Sequence, residues 1–158
     1  MEAIITAATV LASYLNVATA NQSGYVYNAA YENNKVAKIE VYSQNGDVLS
    51  RKIQNRFSYD KDGRLLSKET FAWNAETAEW TPYRLYSYTY DINGYTISLS
   101  EWNKNMCKYA EPNEKTVYHI VADNVMAVDN YKRTGKDASF EMTSGTLVLA
   151  PQNNIAML

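Results

Sequence analysis

The sequence contains one cysteine, Cys107, and one histidine, His119, which are the only thiol and imidazole available for a nucleophile and its base. A thiol reacts as the thiolate and needs a neighbouring base and an electropositive setting, neither of which spacing supplies. His119 lies among Val, Tyr and Ile and reads as a packed strand residue. A serine triad would need the same imidazole, and no Gly-x-Ser-x-Gly elbow accompanies it. Paired carboxylates are the stronger enzymatic route, because a glycosidase needs only an acid and a base or nucleophile a few ångströms apart. Glu69 and Glu101 each stand shortly before a Trp-Asn pair, where rings could hold a sugar. Acidic residues on strands ordinarily face solvent, and that reading is preferred. Asp60-Lys61-Asp62-Gly63 imitates the opening of a calcium loop, yet Phe71 stands where the bidentate glutamate belongs. No catalytic residue, metal or cofactor is therefore assigned.

The remaining chemistry is aromatic. Fourteen Tyr and three Trp accompany only three Phe, and Tyr and Trp bind sugars or protein surfaces when exposed. Most of these rings are expected to fill a thin core or shield sheet faces. Trp73, Trp80 and Trp102 are the better surface candidates, since they fall at strand ends or in loops. With Asn74 and Asn103, whose amides can donate and accept hydrogen bonds, they form the expected ligand-binding set.

Three copies of Tyr-x-x-(Asn/Asp)-Gly-x-x-(Leu/Ile)-Ser position these residues: Tyr42 to Ser50, Tyr59 to Ser67 and Tyr90 to Ser98. Asn45-Gly46, Asp62-Gly63 and Asn93-Gly94 mark hairpin turns, read as three-residue loops ending on a glycine at positive φ. That reading sets Asp60 opposite Arg64, Tyr59 opposite Leu65 and Tyr42 opposite Val48. The second and third copies both run on to a Trp-Asn pair. Period two then predicts strands over Lys35 to Tyr42 and Arg84 to Tyr90, the latter with Tyr86, Tyr88 and Tyr90 on one face. Ala75 to Pro82 reads as a connection. Thr116 to Val128 and Ala138 to Leu149 read as two or more closing strands divided by a turn over Asn130 to Asp137, with a further tight turn at Ser144-Gly145.

Tyr59-Asp60-Lys61-Asp62-Gly63-Arg64-Leu65 resembles the Tyr-Asp repeat of the RHS/YD-repeat proteins, and Tyr90-Asp91-Ile92-Asn93-Gly94 is similar but carries Tyr95 where that family has Arg. The apolar start, the doubled Trp-Asn ending and the short length resemble more closely a family of secreted proteins from gut bacteria that has no assigned function. The resemblance spans roughly Lys35 to Asn103 and implies hairpins in series, not the large shell that dozens of YD copies build.

Ala3 to Leu15 is uncharged and largely apolar, too short to span a bilayer, and is followed by the small-x-small pattern Ala18-Thr19-Ala20. Residues 1–20 therefore read as a signal peptide cleaved before Asn21, although Glu2 and the absence of Lys or Arg before the apolar run instead suit a packed N-terminal helix or strand. Residues 21–158 read as a single all-β domain, an antiparallel meander of hairpins forming one twisted sheet or a two-sheet sandwich. With 46% hydrophobic and 20% charged residues and a net charge of −2, the chain can form a core and carries no footprint for nucleic acid or membrane insertion. Cys107 has no intrachain disulfide partner and lies too far from the cleavage pattern to be a lipid anchor. The expected function is a non-catalytic, exported binding module with a glycan or a cell-surface protein as ligand. A periplasmic or secreted hydrolase with a carboxylate pair and a structural repeat protein are the alternatives.

Overall fold

Short turns between alternating strands force sequential neighbours to pair antiparallel. The computed structural model, which describes residues 4–20 and 24–149, has one helix, α1 (Ala7–Ala20), and ten strands. These are β1 (Tyr25–Glu32), β2 (Lys35–Asn45), β3 (Val48–Tyr59), β4 (Leu65–Asn74), β5 (Glu79–Tyr90), β6 (Gly94–Asn103), β7 (Lys108–Tyr109), β8 (Glu114–Ala122), β9 (Val125–Lys132) and β10 (Glu141–Leu149). They form a single open sheet in meander order, β1-β2-β3-β4-β5-β6-β8-β9-β10, with β7 pairing the end of β6 off this path. The chain divides into two compact units, Ile5–Tyr83 and the part that begins at Arg84, so β5 belongs to both.

In the first unit the side chains of Val36, Ile39, Leu65 and Phe71 are buried, with Ile39 and Leu65 each only 1% exposed. Helix α1 packs on this material. Thr6 caps it, accepting from the Thr9 backbone N–H at 3.5 Å, Val10 is buried, and Tyr14 meets Tyr27 and Phe57 edge-on at 5.9 and 6.3 Å. Just before the helix, the Ile5 carbonyl accepts from the Leu65 N–H at 2.7 Å. Asn21, the first residue of the expected mature chain, and the tail from Pro151 lie outside the described residues.

The turn at Asp60 follows the expected chemistry. Its Oδ1 accepts from the N–H groups of Asp62 and Arg64, both at 2.9 Å, and its Oδ2 takes Arg64 Nε at 2.7 Å. Tyr59 pairs with Leu65, and Gly63 sits at φ +82°. Burial opposes ionisation of Asp60, but Arg64 and the two backbone donors outweigh it and lower the pKa.

The other two turns depart from the reading. The loop between β2 and β3 holds only Gly46 and Asp47, because Asn45 pairs with Val48, and that two-residue loop sets Tyr42 opposite Arg51, not Val48, with a register shift only beyond it, between Tyr42 and Val41. Gly94 is not among the glycines at positive φ. It is buried in β6 opposite His119, where an added Cβ would stand 1.9 Å from the Tyr118 carbonyl oxygen. Close backbone approach, not turn conformation, demands glycine here.

Further along, Thr116 to Val128 is not one strand. Asp123 and Asn124 turn it into the β8–β9 hairpin, with Asn124 at φ 60°. Ser144 and Gly145 lie inside β10, where a register shift between Met142 and Ser144 takes the place of the expected tight turn. Strand β5 begins at Glu79, so Trp80, Thr81 and Pro82 are strand residues, and Ala75 to Ala78 alone make the connection. In the second unit Tyr95 stacks on Tyr118 at 4.5 Å and 14°, and burial pushes both phenols above their usual range.

Candidate functional site

Each Trp-Asn pair ends a strand and starts a hairpin. In the first unit Asn74 closes β4, and its Oδ1 accepts from the N–H groups of Glu76 and Thr77 at 3.0 and 3.4 Å. An asparagine oxygen imitates the backbone acceptor of a turn in this way. Ala78 then takes φ 54° before the chain returns as β5. The return brings Trp80 onto Trp73, ring centroids 5.0 Å apart at 66°, and Arg51 of β3 places its guanidinium 4.7 Å from the Trp73 ring centroid.

The second unit repeats the device. Asn103 closes β6, its Oδ1 accepts from the Met106 N–H at 3.1 Å, and Cys107 takes φ 49°. The return strand β7 sets Tyr109 opposite Trp102, with ring centroids 5.0 Å apart at 74°. Trp73 to Trp80 and Trp102 to Tyr109 are the same seven-residue step, so each hairpin is closed by an aromatic clasp. All four rings are half-buried. The asparagine oxygens expected to meet a ligand are thus engaged in the turns.

The second clasp borders a pocket of about 360 Å³. Its walls include Tyr109, Met106, Lys108 and Asn113 from the β6–β8 region and Arg133 and Lys136 from the β9–β10 loop. Arg133 is anchored: Nε donates to the Pro112 carbonyl at 2.7 Å, a terminal nitrogen donates to the Lys136 carbonyl at 3.0 Å, and Phe140 lies under the guanidinium at 4.8 Å. The Asn113 Oδ1 is buried and has no hydrogen-bond partner among the described residues. Of the expected set, Asn103 lines this pocket and Trp102 supports it through Tyr109. Trp73, Asn74 and Trp80 belong to the clasp of the first unit.

The residues weighed for catalysis are otherwise occupied. Cys107 sits in the turn after β6, its thiol donating to the Lys104 carbonyl at 3.4 Å. His119 pairs with Gly94 at the other end of β6, about 30 Å away at roughly 3.3 Å per residue. The His119 ring instead stands 3.8 Å from the Asp129 carboxylate. Glu69 pairs across the ladder with Arg56, and Glu101 lies 3.7 Å from Arg84. Both oxygens of Asp60 serve its turn and Arg64, which is a structural use of the calcium-like sequence.

Sequence reading missed Tyr109 and the β9–β10 loop. The seven-residue step from each Trp was a usable signal for Tyr109. The loop residues lie far from Tyr109 in sequence, and pairing alone brings them close.

A model of a family of unknown function, DUF3836, matches residues 1–120. A crystal structure of a protein with unknown function from Bacteroides fragilis is similar over 82% of this chain and 96% of that one, with 22% identity and a TM-score of 0.69, and shows the same fold. Two DUF3836 family proteins have lower TM-scores. The one from Bacteroides vulgatus is 16% identical over 80% of this chain and 99% of that one, with a TM-score of 0.43. The one from Parabacteroides distasonis is 17% identical over 80% and 90%, with a TM-score of 0.42. No curated protein matches the chain.

Proposed function

We propose, for a chain that belongs to the DUF3836 family of unknown function, that it is a non-catalytic binding module whose pocket beside Tyr109 takes a glycan. The observation that carries this reading is the pocket's composition. An aromatic ring, two asparagine side chains and cationic groups share a volume of about 360 Å³, within the roughly 300–1,000 Å³ of small-molecule sites. A sugar offers an apolar ring face to the aromatic and hydroxyls to the amides. Glycosidic cleavage would need two carboxylates flanking the bond, and Glu111 is the one acidic side chain in the lining.

Export belongs to the same reading, supported by the apolar start and Ala18-Thr19-Ala20. Cleavage there removes α1 from the first unit, and N-terminal sequencing of the native protein tests it, with Asn21 first as the expected result. The turns at Asp60 and Asp91, in which the aspartate oxygen accepts from backbone N–H groups two to four residues on, support the likeness to YD-type hairpins. A glycan array probed with the intact protein and with Tyr109→Ala tests the binding reading. Capture by the wild type and its loss in the variant is the expected pattern. A blank array, or capture unchanged by Tyr109→Ala, refutes it.

A further inference from the structure

The charge around the pocket is opposite to that of the chain. The sequence carries a net charge of −2, yet Lys108, Arg133 and Lys136 line the pocket against the single acid Glu111. None of the three cations is ion-paired among the described residues. The nearby lysine Lys132 is already matched, by Glu114 at 2.9 Å. Arg133 is held by two backbone carbonyls, which fix its plane without neutralising its charge. Three cations gathered around one concave site repel each other, and an anion placed among them relieves that repulsion.

Two further groups limit what the anion can be. Tyr109 presents an aromatic wall, and Asn103 and Asn113 bring side-chain amides to the lining. A sugar offers hydroxyls to side-chain amides and a ring face to the aromatic. Inorganic sulfate has no apolar face for the ring and no hydroxyl for the amide. A neutral sugar leaves the cations unanswered.

Building on the glycan reading, we infer that the ligand of this pocket is an anionic saccharide, a sugar residue carrying a carboxylate or a sulfate. Its charged group sits among Lys108, Arg133 and Lys136, and its ring lies against Tyr109.

Calorimetric titration of the intact protein with four probes tests this: methyl β-glucuronide, galactose 6-sulfate, methyl β-glucoside and sodium sulfate. At least one acidic sugar should bind about tenfold or more tightly than the glucoside, and its affinity should fall as salt is raised. The double variant Lys108→Gln/Lys136→Gln should lose about tenfold for the acidic sugar and leave the glucoside unchanged, while Lys52→Gln, in the first unit, changes neither. These substitutions fall at exposed positions, and circular dichroism confirms that the variants fold.

Equal binding of glucoside and acidic sugars overturns the inference while leaving the glycan reading intact. Sodium sulfate binding as tightly as the acidic sugars overturns the saccharide part. No binding by any probe overturns the inference, and the glycan array then judges the broader reading on its own.

Discussion

Replacing Gly94 by alanine adds one methyl group to a place where backbone already stands. The new Cβ would lie 1.9 Å from the Tyr118 carbonyl oxygen, 2.9 Å from its carbon and 3.0 Å from the His119 Cα. No side-chain rotation relieves this, because all three atoms are main chain. Strands β6 and β8 must separate where Gly94 pairs with His119, next to the hydrogen bond from the Ile120 N–H to the Asn93 carbonyl at 2.9 Å and the Tyr95–Tyr118 stack. Overpacking costs about 1–3 kcal/mol, and each weakened hydrogen bond about 0.5–1.5 kcal/mol more. A loss of about 3 kcal/mol follows. At roughly 2–4 °C per kcal/mol for a protein of this size, the melting temperature should fall by about 6–12 °C.

Gly63→Ala is the comparison, since at φ +82° the added Cβ meets nothing closer than the flexible end of Lys35 at 3.8 Å. Conformational strain alone costs about 1–2 kcal/mol there. Urea melts of both variants, followed by tyrosine and tryptophan fluorescence, read the two costs separately. A Gly94→Ala midpoint equal to the wild type, or a smaller loss than Gly63→Ala shows, would refute the close approach of β6 to β8.

The clasp of the first unit predicts that Trp73→Ala loses about 2 kcal/mol in a thermal melt, less than the roughly 3–5 kcal/mol of a fully buried aromatic, because the ring is half-buried between Trp80 and Arg51. An unchanged melt would show that the ring contributes no packing. Glu40 supplies a pH dependence. The hydrogen bond from Tyr42 is the largest influence, and with Gln54 and Lys38 it holds the Glu40 pKa below its ordinary value of 4.5 against the effect of burial. A depressed folded pKa means stability that is full above about pH 4.5 and lost as pH falls through the folded value. Glu40→Gln should therefore flatten the acid limb of the stability profile, and an acid limb identical to wild type would show that Glu40 does not contribute to it.

What could be read from the sequence was local. Tyr59 to Arg64 carries its whole turn in six neighbouring residues, and Asp60 ties both sides of it, so register and ion pair followed from spacing alone. The Asp123-Asn124 turn was also local but lay inside a run rich in Val, Tyr and Ile, and the strand propensity of its flanks hid it. Gly94 had the correct turn neighbourhood and the wrong reason, because its constraint comes from Tyr118, a strand away in the ladder. Asn74 and Asn103 were correctly placed at strand ends. Their oxygens, however, had nearer partners than any ligand, since an asparagine at that position reaches the backbone N–H groups that follow. The helix over Ala7–Ala20 shows the same boundary, as its apolar composition was visible and its packing surface was not.

The two clasps show why chemistry concentrates at one of them. Both are the same local solution: a strand ending in Trp-Asn, an asparagine-held turn, a residue in the left-handed region and an aromatic returning seven positions later. Local sequence therefore makes the two hairpins alike, and what differs is the non-local chain beside them. At the first, β3 brings Arg51 over the Trp73 ring, so the protein itself supplies the cation that the aromatic face attracts. At the second, Tyr109 faces a pocket whose cation Arg133 is drawn back onto Pro112, Lys136 and Phe140. A clasp that carries its own arginine stabilises the hairpin, whereas the second clasp borders a cavity that Lys108, Arg133 and Lys136 also line, so aromatic and charge meet at one concave site. On this argument Tyr109→Leu, which keeps an apolar side chain against Trp102 and removes the aromatic face, should abolish glycan capture while lowering stability by only about 1–2 kcal/mol, since the ring is half-buried. Capture by that variant at the wild-type level would mean that the ligand does not use the Tyr109 wall.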